Sequence, residues 1–158
     1  MNLAHVHLLL NHIPVLGSNF GLIFLLYAYF RKSQELIKTG MGILIGVALL
    51  TIPTFMTGDP ARDIVKNMPD VAKNIIREHD DSAGYALTGI LFLGGVCLAG
   101  LYYFRKNTSI PKGFTITVLL LTLFVCSIMI RTAYLGGQIH HPETRSDFVS
   151  HEIPGALF

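Results

Sequence analysis

Phe114–Ile139 reads FTITVLLLTLFVCSIMIRTAYLGGQI, and Arg131 is its one charged residue. At ~1.5 Å of rise per residue such a helix exceeds the ~30 Å hydrocarbon core of a bilayer. Three further apolar stretches, Pro14–Phe30, Thr39–Thr57 and Ser82–Phe104, come close to that length or pass it. The composition agrees: 51% of the 158 residues are hydrophobic and 14% charged, with the charges confined to short blocks instead of being spread around helices. The expected fold is therefore all-α, an integral membrane up-down-up-down four-helix bundle. It forms one transmembrane domain over 1–158, with helices at 14–30, 39–57, 82–104 and 114–139, a loop at 58–81 and a tail at 140–158.

Loop charges give the expected orientation. Arg31, Lys32 and Lys38 join the first two helices against Glu35 alone, and Arg105, Lys106 and Lys112 join the last two with no acid. Both connections are read as cytoplasmic. The 58–81 loop is net negative and is read as periplasmic, as are both termini, which places the chain in a bacterial inner membrane. No basic residue precedes the first apolar stretch and no small-residue cleavage site closes it, so that stretch is expected to be retained. A net charge of +2 without a basic stripe gives no reason to expect a nucleic-acid partner. Cys97 and Cys126 lie at comparable depth in helices three and four and are read as packing residues, since no CxxC is present.

Tyr29-Phe30-Arg31-Lys32 and Tyr103-Phe104-Arg105-Lys106 close helices one and three at an offset of 74, which also pairs Gly21 with Gly95 and His5 with His79. This hints at a duplicated hairpin with a pseudo-twofold axis along the membrane normal. Aromatic-plus-basic clusters are, however, what any cytoplasmic interface selects. Gly17-xxx-Gly21, Gly42-xxx-Gly46 and Gly95-xxx-Ala99 are expected to permit close backbone approach between helices, or to leave room for a flat cofactor.

The expected topology carries all seven histidines (His5, His7, His12, His79, His140, His141 and His151) to one membrane face. His5 and His12 share a helical stripe that continues to Asn19, whereas His7 falls with Asn11 and Ser18. Pro14 suits a first helical turn, so a helix beginning near Ile13 would leave Asn2–Leu10 as an interfacial segment. His79 precedes Asp80 and Asp81, carboxylates able to orient it. Arg131 lies inside the membrane or just below the headgroups and calls for a partner: a haem propionate, Asp59, or the headgroups themselves by snorkelling.

The chain resembles a family of small bacterial four-helix membrane proteins, some of them similar to b-type cytochromes. The resemblance rests on an N-terminal motif, His5-Val6-His7-Leu8-Leu9-Leu10-Asn11-His12-Ile13-Pro14, and a C-terminal one, Gly136-Gly137-Gln138-Ile139-His140-His141-Pro142-Glu143. It covers most of the chain, including Thr57-Gly58 and His79, and implies that His7, His12, His79 and His141 are the motif histidines. His140 stands where a basic residue is expected, and His151 lies beyond the motif.

The expected function is membrane-bound, b-type cytochrome-like electron transfer, with one or two haem b groups held noncovalently by His7, His12, His79 and His141. Bis-histidine ligation needs two imidazoles from facing helices at matching depth, which His12 and His79 offer, with His7 or His141 forming a second pair. No CxxCH is present for covalent haem attachment. Quinol or a periplasmic carrier would be the redox partner, in a lipid bilayer, with other membrane subunits or further copies as company. The alternatives are a copper or zinc site built from the same histidines with Asp59, Asp80 or Glu143, and a structural anchor without redox role.

Overall fold

The computed structural model describes residues 3–66, 72–106, 109–141 and 144. Six helices occur among them: α1 (Leu3–Leu10), α2 (His12–Phe30), α3 (Gln34–Met56), α4 (Gly58–Val65), α5 (Lys73–Tyr103) and α6 (Lys112–His140). Four stretches, Leu3–Phe30, Gln34–Val65, Lys73–Tyr103 and Lys112–Ile139, are long and apolar enough to cross a membrane. Helical structure extends beyond the apolar runs read from the sequence. The segment expected as a loop at 58–81 holds α4 and the first turns of α5, because hydropathy marks what a bilayer would cover and not where backbone hydrogen bonding stops. The expected tail at 140–158 lies mostly outside the described residues, His151 with it.

Proline explains why the first half has four helices and the second has two. Pro14 has no N–H to offer the Leu10 carbonyl, and Pro60 none for Met56. The helical assignment breaks directly after each of those carbonyls, at Asn11 and at Thr57. Asn11 therefore separates an N-terminal helix from the spanning one, as Pro14 led the sequence to suggest.

The helices pack with backbones close together. Along α2 and α3, Gly17 lies against Val47, Gly21 against Leu44 and Gly40 against Leu25, an antiparallel order. Gly89 against Val125 and Gly100 against Phe114 give the same order for α5 and α6. Gly94 meets Ala48 where α3 and α5 cross. The α2–α3 connection is a tight Schellman closure in which Ser33 N–H donates to the Ala28 carbonyl and Lys32 N–H to Tyr29, with Lys32 in the left-handed region at φ 53°. Ser33 then caps α3 by accepting from Leu36 N–H. Two buried hydroxyls are satisfied within their own helices: Thr51 donates to the Val47 carbonyl and Thr122 to Val118. Phe20, Ile23, Leu49, Phe92, Leu120 and Phe124 point outward. A helix whose outer face is this apolar suits lipid better than water.

The two halves bury the same faces. The buried residues of α2 (Pro14, Ser18, Gly21, Leu25, Ala28) match Ala86, Ile90, Leu93, Cys97 and Gly100 of α5 at a constant offset of 72. Those of α3 (Ile37, Gly40, Met41, Leu44, Val47, Ala48, Thr51) match Thr115, Val118, Leu119, Thr122, Val125, Cys126 and Met129 of α6 at an offset of 78, while buried Thr54 corresponds to the half-buried Thr132. The duplication hinted at in the sequence is thus visible as packing, but in a different register from the offset of 74. The reason is the unequal connection: residues 31–33 join α2 to α3, whereas 104–111 join α5 to α6. A repeat read from helix ends mixes the two registers. Gly95 is accordingly no partner of Gly21; it meets nothing, like Gly42 and Gly46, while Gly17 and Gly21 are packed. Of the three expected close-approach pairs, the first alone serves packing within the bundle. Cys97 and Cys126 are free and buried in the core.

A paired substitution separates the two kinds of glycine. A Cβ on Gly94 would stand 2.7 Å from the Ala48 Cβ, which has no flexible end to give way. Gly94→Ala is expected to destabilise the protein by about 1–3 kcal/mol. Gly42→Ala meets open space and gains helix propensity, up to about 1 kcal/mol. Thermal unfolding of the two variants in one detergent measures the difference in sign.

Candidate functional site

One cavity of about 780 Å³ draws wall residues from all six helices, within the ~300–1,000 Å³ typical of small-molecule sites. His7 of α1 and His79 of α5 both line it. Each is half-buried, and the two rings are within electrostatic reach of each other.

Both imidazoles are oriented in the same way. His79 Nδ1 lies 3.0 Å from the Thr132 carbonyl oxygen, and His7 Nδ1 lies 3.1 Å from that of Thr54 and 3.2 Å from Thr57 Oγ1. A carbonyl accepts and cannot donate, so Nδ1 carries a proton in each ring, and in the neutral imidazole the lone pair is then on Nε2. A glycine stands four residues beyond each carbonyl. A Cβ on Gly136 would lie 3.2 Å from His79 Cε1 and 3.4 Å from Nδ1, and one on Gly58 would lie 3.6 Å from His7 Cε1. In a helix, residues i and i+4 stack on one face, so a side chain at either position would cover the carbonyl that the imidazole uses. Thr132 is further fixed by its hydroxyl, 2.7 Å from Ser82 Oγ.

The polar wall is completed by Arg62, whose Nη2 is 3.0 Å from Asp59 and whose Nη1 is 3.0 Å from Asp80. The second contact ties α4 to α5. These groups are substantially exposed, so each pair contributes little to stability. Asn11 Oδ1 is buried at the wall with no hydrogen-bond partner among the described residues.

The other residues singled out in the sequence lie elsewhere. His12 is exposed and does not line the cavity, because a separation of five residues turns it away from the face of His7. His141 is exposed just past α6, where its carbonyl accepts from Thr144, and is also outside the wall. His5 lines the cavity at an exposed position. The His140 side chain lies outside the described residues. Arg131 is exposed and absent from the wall; its neighbour Thr132 turns inward, and Asp59, offered as a partner for Arg131, is engaged by Arg62. Among the described residues, no group of three or more His, Cys, Asp and Glu is placed to hold a metal ion.

Sequence reasoning missed Arg62, Thr54 and Thr132, and it gave Gly58 and Gly136 no role beyond membership of the motifs. A signal for four of them exists: Thr-xxx-Gly occurs at 54–58 and again at 132–136, at the offset of 78 that relates α3 to α6. No family model, curated protein or solved structure matches this chain.

The hydrogen bonding fixes one tautomer. Nitrogen-15 spectra of histidine-labelled protein in detergent are expected to show the Nδ1–H tautomer for the neutral rings of His7 and His79. Gly136→Ala is expected to shift the His79 signals alone; unchanged His79 signals would count against the packing described.

Proposed function

We propose that the protein is a b-type cytochrome-like electron-transfer protein of the bacterial inner membrane, and that His7 and His79 are its haem ligands. The observation that carries this reading is the matched pair of Nδ1 contacts, which leaves Nε2 of each neutral ring as the atom for a ligand bond at the wall of one cavity. Metal-bound histidines characteristically donate their other ring N–H to a carbonyl or carboxylate, which holds the ring and raises its basicity. Two imidazoles suffice for haem, so the absence of a larger ligand cluster among the described residues favours it over a copper or zinc site. The cavity volume and apolar walls suit a planar macrocycle.

Haem iron, when bound, supplies the one-electron chemistry. His7 and His79 would hold the iron, their half-buried position would limit water, and Arg62 would take the part of carboxylate anchor first considered for Arg131. The buried Asn11 amide offers a further polar contact. With both termini periplasmic, as loop charge favours, the cavity faces the outer side, where quinol or a periplasmic carrier would exchange electrons with it.

Absorption spectra test this directly. Protein purified in detergent with haem supplied is expected to give a Soret band and, with dithionite, sharp α and β bands. His7→Ala and His79→Ala should each abolish the low-spin spectrum, while His12→Ala, His141→Ala and Arg131→Ala leave it intact. Gly136→Ala, which crowds a ligand without removing it, should weaken haem binding about 10–100-fold. Colourless wild-type protein after haem supply sinks the proposal.

A further inference from the structure

The repeat that relates the two halves of the bundle also relates the two sides of the cavity. At offsets of 72 for the first helices of each half and 78 for the second, His7 corresponds to His79, Thr54 to Thr132 and Gly58 to Gly136. Most of the remaining wall residues pair in the same way. Each imidazole leans on a threonine carbonyl and a glycine from its own half: His7 on Thr54 and Gly58, His79 on Thr132 and Gly136. Neither half holds a complete site.

A site divided in this manner offers a ligand nearly the same surroundings on either side. We propose that the cavity is a pseudo-twofold site: the planar group between His7 and His79 meets one imidazole on each face and is accepted in both face orientations. This rests on the haem reading for the identity of the group, whereas the equivalence of the walls comes from the packing. Natural haem is asymmetric at its rim, where methyl and vinyl substituents exchange places when the ring is turned over. One orientation can dominate only through wall positions at which the halves differ: the pairs Ala4 and Ile76, Leu8 and Asp80, Asn11 and Ala83, Pro14 and Ala86, Thr51 and Met129, and Ala61 and Ile139, together with residues such as Arg62 and Asp59 that have no counterpart on the wall. The carbonyl contacts that orient the two rings are alike, and the Thr57 hydroxyl beside His7 is the one addition.

Proton NMR of the ferric full-length protein in detergent resolves haem ring-methyl signals shifted by the iron, independently of any electron-transfer assay. Two sets of methyl signals are expected, with populations within about tenfold of each other, a factor that modest differences in wall contacts can set. An iron porphyrin that is itself twofold symmetric should collapse them to one set. Met129→Thr, which makes the Thr51 pair alike, should move the population ratio towards one. A Soret band accompanied by one set of methyl signals for natural haem overturns the pseudo-twofold site and leaves the haem reading standing. Absence of a Soret band overturns both.

Discussion

The site depends on a helix carbonyl that is left uncovered. A carbonyl in a transmembrane helix uses one lone pair within the helix, and its second is normally shielded by the side chain one turn on. At Thr54 and Thr132 that later position is glycine, and an imidazole from another helix reaches the carbonyl; at Thr54 the Thr57 hydroxyl donates to the same oxygen. In a low-dielectric setting such a bond is strong and the cost of breaking it is high, because no water replaces the lost partner. The ring is thereby held in one tautomer and at one angle. The position of the cavity follows, since both rings must reach the ends of helices that belong to their own halves.

Duplication accounts for much of the rest, and the departures from it are local. The two halves share buried faces through the spans, where helix-to-helix contact leaves little freedom. They differ at the ends. Pro14 and Pro60 interrupt the first half, whereas their counterparts Ala86 and Gln138 leave α5 and α6 continuous. The charged residues are unequally distributed as well: Asp80 stands opposite Leu8, and Arg62 brings Asp59 and Asp80 together across α4 and α5.

The spanning helices were legible in the sequence because a bilayer demands long unbroken apolar runs, and hydropathy measures that demand directly. His7 and His79 were legible as chemistry-bearing residues in an otherwise apolar setting. Their exclusive pairing was not, since phase along one helix decides a face but not which neighbour that face meets. His12 has the better interfacial position by sequence and nevertheless points away from the cavity. Arg131 drew attention as a cation within an apolar run, while Arg62, in a segment expected as a loop, is the arginine on the wall. Thr54 and Thr132 act through their backbones, for which residue type gives only the indirect signal of the following glycine.

The combination of a repeated frame and an unequal rim divides the labour of the proposed site. Two equivalent imidazoles would bind iron symmetrically and, by themselves, would give a bound group no preferred polarity. Polarity would have to come from the residues that break the repeat. Arg62 with Asp59 and Asp80 forms an ion-pair cluster at one end of the cavity, where the side chains are partly exposed. The deeper wall, with Met129, Ala86 and Pro14, is apolar apart from Thr51, whose hydroxyl is already committed to Val47. A group held between the histidines would therefore meet its charged surroundings at one edge and a dry wall at the other. For the proposed function, that asymmetry would direct electron exchange to the polar end and separate it from the hydrocarbon side.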